Sequence, residues 1–493
     1  MVPSISWLLS CACALVPTPL AAPQLTTTSG ASVSSALRRA VAGQGAAALG
    51  ITADDVSSVA IDDDETRLVY GVLTTPTRIV RLFSVKPDGG PSVELCDPID
   101  VATAAEEVRI GPDGRRVLVA SVTGLQVVSI DGGPVVDVPQ SLGATNFTFT
   151  SDGKRLLYLS PLPSGQELRV AALTRADSRV LSARPVLRYR VTPDGERVVF
   201  GERDALGRQV LLGAALGESA SPRELGPAEG VFDLSSDSRR MLFVSGHVLQ
   251  CMPIDGAAAP VAIAGPPGPF QEFGTWRFTP DGAGAVYLLS GGNGGGLFGV
   301  PVDASASPVQ LNPSGAVASF TLGGAGRVAY LTQTLPGVAP DLFSVPSAGG
   351  PAVRLGSSIT KFVGLTPDGT RAFFTIVQSL VTQLFSVPMD GSTGAVLLAT
   401  HAGLLGGMSV DPLAGRVVYE ILETQNRELF SVPIDGGESP VDLAQRIHPF
   451  NVFVLSPRRG SVVFAGSRPV RNVQELYSVP VDGSAEPKLV VGL

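Results

Sequence analysis

The chain has 493 residues, of which 44% are hydrophobic and 16% are charged, and its formal net charge is −8 at pH 7. This composition is typical of a chain that buries a large apolar surface, and its 57 glycines and 40 prolines stay below the level of low-complexity disorder. The negative charge balance argues against nucleic acid as a partner, because neutralising phosphates requires a basic excess.

The first element in chain order is an apolar N-terminal segment. Residues 5–16 form its apolar core, and the small residues Ala21 and Ala22 follow. This pattern predicts a secretory signal peptide over residues 1–22, and the run is too short for a transmembrane helix. We therefore expect a periplasmic or extracellular protein with no transmembrane segment in the mature chain. The alternative is a lipid anchor at Cys11, because "LLSC" loosely resembles a bacterial lipobox.

A leader over residues 23–56 follows the predicted signal peptide. Its polar start, "PQLTTTSGASVSS", predicts flexibility, and the following "SSALRRAVAG" is compatible with one or two helical turns before the first repeat.

Two phrases alternate along the rest of the chain. "VGLTPDGTRAFF" at 363–374 represents the first phrase, which recurs ten times at intervals of about 44 residues. "ELFSVPIDGG" at 428–437 represents the second. Periods of this length are typical of propellers and solenoids.

Each repeat unit can be divided into four short strands. A strand meets a turn at residues 366–369, where proline, aspartate and glycine each suit a turn position, and a second strand follows. The "FSVP" strand comes third, and Asp390-Gly391 turns the chain into a fourth. Such a meander has two apolar faces to cover, and circular stacking covers both. The sequence therefore predicts an all-β propeller of four-stranded antiparallel blades over residues 57–493, as one large ring or alternatively as two smaller rings.

The paired phrases resemble the TolB-like (WD40-like) propeller repeat of bacterial envelope proteins. The resemblance covers about residues 57–493, and it implies a scaffold that binds a protein or another envelope component. The propellers of prolyl-oligopeptidase-type enzymes contain the same repeat, but those enzymes need a hydrolase domain with a G-x-S-x-G motif. The sequence contains no such motif.

Few residues are candidates for chemistry. The histidines are His247, His401 and His448, and the last two occupy related points about one repeat apart. Neighbouring blades could bring them together, although two ordinary loop histidines are the simpler interpretation. No spacing of cysteine or histidine predicts a metal site, and we expect no cofactor. The cysteines that follow the signal peptide, Cys96 and Cys251, lie four units apart, so we expect two buried thiols and no disulfide.

The aspartates of the turns, and the arginine that follows many of them, recur once per unit. We interpret them as turn chemistry, with the arginines paired to turn carboxylates or backbone carbonyls.

A more informative set of residues lies on the predicted first strands, which line the central channel of the propeller. In each first strand, the residue between two apolar neighbours points to the opposite face. We call these the inner positions: Ala60, Arg109, Thr148, Arg190, Asp233, Arg277, Thr321, Gly364, Ser409 and Val454. Arg190, Asp233 and Arg277 fall on three successive units. They either pair within the ring wall or, with Arg109, form a patch for a small anionic ligand.

The sequence thus favours a non-catalytic binding scaffold, with no catalytic residue assigned and with Arg109, Arg190, Asp233 and Arg277 as candidate binding residues. The alternative is an enzyme, a lyase or hydrolase, that uses the channel mouth.

Overall fold

A computed structural model describes residues 55–491, apart from 63, 75–78, 98, 101–106, 122, 174–176, 183, 218–220, 292–295, 314, 333–337, 424–426, 446 and 468–473. Over these residues the chain forms ten antiparallel sheets, each built from consecutive strands, and we number these sheets as blades 1 to 10. The predicted signal peptide and nearly all of the predicted leader lie outside the described residues.

The first five blades contain strands β1 to β21. Their bounds are, in blade 1, β1 Asp55–Ile61, β2 Leu68–Thr74, β3 Ile79–Val85, β4 Val93–Glu94 and β5 Ile99–Asp100; in blade 2, β6 Glu107–Ile110, β7 Arg116–Ser121, β8 Gly124–Ser129 and β9 Val136–Asp137; in blade 3, β10 Thr145–Phe149, β11 Arg155–Leu162, β12 Gly165–Ala172 and β13 Asp177–Ser182; in blade 4, β14 Val186–Val191, β15 Arg197–Arg203, β16 Gln209–Ala215 and β17 Arg223–Pro227; and in blade 5, β18 Glu229–Leu234, β19 Arg240–Ser245, β20 Val248–Pro253 and β21 Val261–Ala264.

The last five blades contain strands β22 to β41 and one 3-10 helix. Their bounds are, in blade 6, β22 Gln271–Phe278, β23 Gly284–Gly291, β24 Gly296–Pro301 and β25 Val309–Gln310; in blade 7, β26 Val317–Leu322, β27 Arg327–Thr332, β28 Leu342–Pro346 and β29 Val353–Gly356; in blade 8, β30 Lys361–Leu365, β31 Arg371–Gln378, β32 Val381–Pro388 and β33 Val396–Ala402; in blade 9, β34 Leu404–Asp411, β35 Arg416–Leu422, β36 Arg427–Pro433 and β37 Val441–Asp442; and in blade 10, β38 His448–Ser456, the 3-10 helix Pro457–Arg459, β39 Ser461–Ser467, β40 Gln474–Pro480 and β41 Lys488–Val491.

Every blade follows the predicted meander of four strands. In blade 1 the fourth strand is split, because β4 and β5 pair with opposite ends of β3. The second strands are the most buried, since each lies inside its sheet and both of its faces are covered by neighbouring blades. In β31, for example, four consecutive residues from Ala372 to Thr375 are buried. The prediction of an all-β propeller is therefore confirmed.

The hydrophobic core is divided among the interfaces between blades. Nine apolar clusters each join two consecutive blades. A tenth cluster joins Val59 and Tyr70 of blade 1 to Val463 and Leu476 of blade 10. Each blade thus contributes its two faces to two different cores, and the ten blades close into a ring.

Polar contacts also join blade 10 to blade 1, and we call this junction the seam. The buried carboxylate of Glu65 accepts hydrogen bonds from the Ser456 hydroxyl at 2.7 Å and from the backbone N–H of Arg458 at 3.0 Å and of Arg459 at 3.2 Å. The Arg459 guanidinium, in turn, lies 2.9 Å from the carboxylate of Asp88.

The meander gives the disc two different faces. Turns between first and second strands, and between third and fourth strands, share what we call the turn face. Loops between second and third strands, and connections from blade to blade, share the opposite loop face. Neighbouring turns contact one another on the turn face, for example where the Ser238 hydroxyl accepts the Asp194 backbone N–H at 2.9 Å.

Two further sequence predictions concern the cysteines and membrane spans. Cys96 and Cys251 are both buried, in blades four apart, and form no disulfide with each other. Burial raises the pKa of the Cys251 thiol to about 11. Among the described residues, no helix is long and apolar enough to cross a membrane.

Candidate functional site

The first strands of the blades form the inner wall of the ring. Contacts join first strands of neighbouring blades directly, including β1 with β38 and β18 with β22. Register shifts interrupt the pairing of first and second strands in nine of the ten blades, as between Val186 and Arg188 of blade 4. Such bulges bend a strand and leave polar groups outside the ladder. Side chains at the wall can therefore bond to the free inner edge of the next blade.

Asp233 of β18 occupies the centre of the charged part of this wall. Its side chain is buried, its Oδ1 lies 3.3 Å from Nη1 of Arg190, and its Oδ2 accepts the Phe278 backbone N–H at 3.0 Å. The Arg190 side chain, on β14, keeps 44% of its surface exposed. Asp233 thus ties together the first strands of blades 4, 5 and 6, while one side of Arg190 still faces solvent.

Arg277 lies beside this pair on β22. Its Nη1 donates to the carbonyl of its neighbour Trp276 at 2.8 Å, and its side chain is half-buried. Burial lowers the pKa of Arg277, Asp233 opposes that shift, and the positive charge of Arg190 adds to it. Arg190, Asp233 and Arg277 therefore act on one another electrostatically.

Arg109, the fourth candidate, lies apart from these three. On β6 of blade 2, its Nη1 donates to the Phe147 carbonyl at 2.8 Å, and its guanidinium lies 4.6 Å from the centre of the Phe147 ring. These contacts bind Arg109 to the inner edge of blade 3. Tyr189 connects blade 4 to the same region, since its hydroxyl donates to the carbonyl of Leu157 at 3.1 Å.

The remaining inner positions carry no charge, so the charge of the inner positions is concentrated in blades 2 to 6. They are Ala60, Thr148, Thr321, Gly364, Ser409 and Val454.

One residue of the wall was missed by the sequence analysis. Arg188 lies on β14 two residues before Arg190, and both side chains are exposed, whereas the intervening Tyr189 packs into the core between blades 3 and 4. The signal was present, because strand alternation places residues i and i+2 on the same side. We refer to Arg188, Arg190, Asp233 and Arg277 as the charged sector.

The histidines lie apart from one another and from the charged sector. His401 belongs to β33 of blade 8 and His448 begins β38 of blade 10, so blade 9 separates them. Nε2 of His401 lies 2.8 Å from the Tyr419 hydroxyl, and burial lowers the pKa of His401. His247 lies in blade 5 with Nδ1 3.5 Å from Glu229. Within the described part of the chain, no three His, Cys, Asp or Glu residues are grouped so as to hold a metal ion.

The recurrent turn residues have structural partners. Arg116 donates to the Asp113 carboxylate of its own turn, and to the Gly153 carbonyl of the next blade at 3.0 Å. Arg116 thus shows the predicted pairing with a turn carboxylate and a backbone carbonyl, whereas Arg371 donates from Nε to the Ser386 hydroxyl at 3.0 Å.

Exposed apolar side chains are a second feature of the surface. On the loop face, large apolar residues are exposed along an arc from blade 2 to blade 9: Leu142 at 66%, Leu206 at 75%, Phe270 at 91%, Val338 at 60%, Leu380 at 73% and Leu404 at 50%. Leu413, 71% exposed, lies on the turn face.

These observations define the class of the protein: it is a ten-bladed β-propeller repeat protein with a charged inner wall. No protein-family model matches the chain, and no curated protein is similar to it in sequence. Solved structures, however, are similar to it in fold.

A eukaryotic initiation factor is 10% identical, with a TM-score of 0.51, over 76% of this chain and 95% of its own. TolB from Acinetobacter baumannii is 16% identical, with a TM-score of 0.30, over 57% of this chain and 76% of its own. The tricorn protease is 14% identical, with a TM-score of 0.29, over 88% of this chain, which spans 46% of the protease. At these identities the similarity concerns the fold alone.

Proposed function

We propose that the protein is a non-catalytic binding scaffold whose loop face binds a protein of the cell envelope. The observation that carries the proposal is the set of exposed apolar side chains on that face, in which Phe270 is 91% and Leu206 75% exposed. Apolar side chains of this size gain roughly 1.5–3 kcal/mol each when a partner removes them from water.

The architecture supports this choice of face. Turns on the turn face bond to those of the next blade, as between Asp194 and Ser238. The blade-to-blade connections of the loop face differ widely in length, from residue 228 alone to residues 138–144. Loops held by a rigid framework are the usual location of binding residues. The TolB-like repeat motifs agree with a binding role by analogy of fold only.

The experiment compares loop-face and turn-face variants. The full-length protein is immobilised and exposed to envelope extract, retained proteins are identified, and the affinity of each purified candidate is measured. A variant with Leu142→Ser, Leu206→Ser, Phe270→Ser and Leu380→Ser should lose affinity by about tenfold or more. Leu413→Ser is the matched control, because it removes an equally exposed leucine from the turn face. Equal affinities for both variants and the original protein would disprove a loop-face site.

We further propose that the protein is exported to the periplasm or beyond it. The N-terminal sequence supports this, with its apolar core over residues 5–16 and its small-residue exit at Ala21-Ala22. Fractionation with intact-mass analysis tests the proposal: an exported chain that begins near residue 23 is expected, and a cytoplasmic, unprocessed chain would contradict it.

A further inference from the structure

Positive charge accumulates on one part of the inner wall of an otherwise acidic protein. Three arginines and one aspartate form the charged sector, which leaves two positive charges in excess, whereas the whole chain has a net charge of −8. Among nearby acids, Glu229 is engaged with His247, at 3.5 Å, and Glu272 lies at the opposite end of β22 from Arg277. Neither of these two carboxylates forms an ion pair with Arg188 or Arg190 among the described residues.

Arg188 contributes one of these positive charges. Its side chain is exposed on the inner wall and, among the residues described, it has no ion pair or side-chain hydrogen bond. Arg190 lies two positions further along β14, at about 6.6 Å for two strand residues. Both side chains leave β14 on the same side, at a backbone separation that allows one ligand to contact both.

Asp233 fixes one arginine of this pair in place. Its carboxylate holds Arg190 from one side at 3.3 Å and is itself fixed by the Phe278 backbone N–H. A guanidinium has five donors, so this single contact leaves several donors of Arg190 available. A positioned arginine loses less conformational entropy when it binds a ligand.

We propose that Arg188 and Arg190, with Asp233 as the positioning residue and Arg277 adding positive potential, form a binding site for a small oxyanion in the channel. The ligand chemistry is a phosphate or carboxylate group, because a planar guanidinium donates two parallel hydrogen bonds to either. The site lies on the channel wall, so this proposal does not depend on the protein-binding role of the loop face.

Calorimetric titration of the full-length protein tests the site, with inorganic phosphate and citrate as separate probes and chloride as the reference anion. We expect saturable binding of at least one probe. Phosphate alone would identify a phosphate site, and citrate alone a carboxylate site. No saturable binding of either probe would overturn the proposal.

Variants then locate the site. Arg188→Ala should weaken binding by about tenfold or more, the loss expected for charged hydrogen bonds. It should leave the thermal unfolding midpoint unchanged, since Arg188 holds no partner. Arg208→Ala is the matched control: it removes the same charge from blade 4, where Arg208 pairs with Asp204 at 2.8 Å outside the channel. Equal weakening by both variants would show non-specific attraction and disprove the site.

A variant of Asp233 tests its positioning role. Asp233→Asn keeps an oxygen for the Phe278 N–H but removes the carboxylate charge that holds Arg190. Binding of the anion should weaken by about threefold, because Arg190 is no longer fixed before the ligand arrives. An unchanged or tighter affinity in a folded Asp233→Asn protein would contradict the positioning role of Asp233.

Discussion

At the residue scale, the repeated turns are built by one small hydrogen-bond network. In blade 8 the Thr366 hydroxyl donates to Oδ1 of Asp368 at 2.5 Å and accepts the Arg371 backbone N–H at 3.0 Å. Oδ1 of Asp368 also accepts the Thr370 N–H at 3.1 Å. The network closes the turn from both sides and needs only the Thr-x-Asp spacing, so it could be predicted from the sequence.

These networks make folding stability depend on pH. The hydroxyls of Ser235, Thr279 and Thr366 are the main cause that holds the pKa values of Asp237, Asp281 and Asp368 below their usual values. Carboxylates with lowered pKa values in the folded state stabilise it above the pKa of the unfolded chain, near about 3.9, and lose that contribution as the pH falls below it. We expect the urea midpoint to be nearly constant from neutral pH to about 5 and to fall below about 4.

The triple variant Asp237→Asn, Asp281→Asn, Asp368→Asn checks this expectation. It cannot titrate at the three turns, so its urea midpoint should be lower at neutral pH but should fall less steeply between about pH 5 and 3. An unchanged slope would show that other groups cause the acid sensitivity.

Residue pairs that depend on strand register are harder to predict from the sequence than the turn networks. In blades 7, 8 and 9 the first arginine of the second strand donates from Nε to the buried serine of the "FSVP" strand, at 2.9, 3.0 and 2.9 Å. The pairs are diagonal neighbours across the two strands, so they follow from register rather than from spacing along the chain. Blade 6 contains a sequence signal for this pairing. Gly284 replaces the arginine and Gly299 replaces the serine, so the two partners are lost together. Arg188 was missed for a simpler reason, because only one position of each strand was followed.

At the scale of the element, the turn between the third and fourth strands is fitted to the preceding blade in blades 2, 7, 8, 9 and 10. The glycine of this turn has a positive φ in these five blades, and a Cβ added there would strike a valine on the preceding fourth strand. For Gly391, with φ +68°, the added Cβ would lie 2.3 Å from Cγ1 of Val353. For Gly483 the same distance, to Val441, is also 2.3 Å. The glycine that follows the aspartate of this turn therefore reflects close packing between blades as well as turn geometry.

Gly391→Ala tests this packing. The left-handed backbone costs about 1–2 kcal/mol and the overlap with Val353 about 1–3 kcal/mol, so the free energy of unfolding should fall by roughly 2–4 kcal/mol. The control is Gly394→Ala in the same turn region, where an added Cβ meets nothing within 4 Å. It should change the free energy by less than about 0.5 kcal/mol. Equal effects measured by urea unfolding would refute the role of the interface.

At the scale of the whole molecule, ion pairs join neighbouring blades in the same direction around the ring. In each pair, the arginine belongs to one blade and the aspartate to the next. Arg67 of blade 1 lies 2.5 Å from Asp131 in the third turn of blade 2, and Arg459 of blade 10 lies 2.9 Å from Asp88 in the third turn of blade 1. The same contact thus occurs both within the series and across the seam. The number of blades could be predicted by counting repeats. The partner of blade 10 could not, because the hydrogen bonds that join it to blade 1 link residues 371 or more positions apart.

Glu65→Ala tests the importance of the seam. It removes the acceptor of three hydrogen bonds and leaves buried donors unsatisfied, at a cost of about 2–4 kcal/mol. Amide hydrogen exchange should accelerate in β1 and β41 while blades 5 and 6 stay protected. Glu438→Ala, which removes an exposed partner of Arg416, is the control and should leave β1 and β41 unchanged. Uniform acceleration in all blades would show that the ring opens as one unit.

The closed ring also constrains the order in which the protein can fold. Nine interfaces join segments that follow one another along the chain, so each can form as soon as its second blade exists. The tenth requires residues near both ends of the described chain to meet, as Glu65 meets Ser456. Until that encounter, the apolar outer surfaces of blades 1 and 10 face water and are open to association with other chains. The outer faces of blades 1 and 10 therefore stay exposed for longer than the faces of the internal blades. The new chain must avoid aggregation throughout that time.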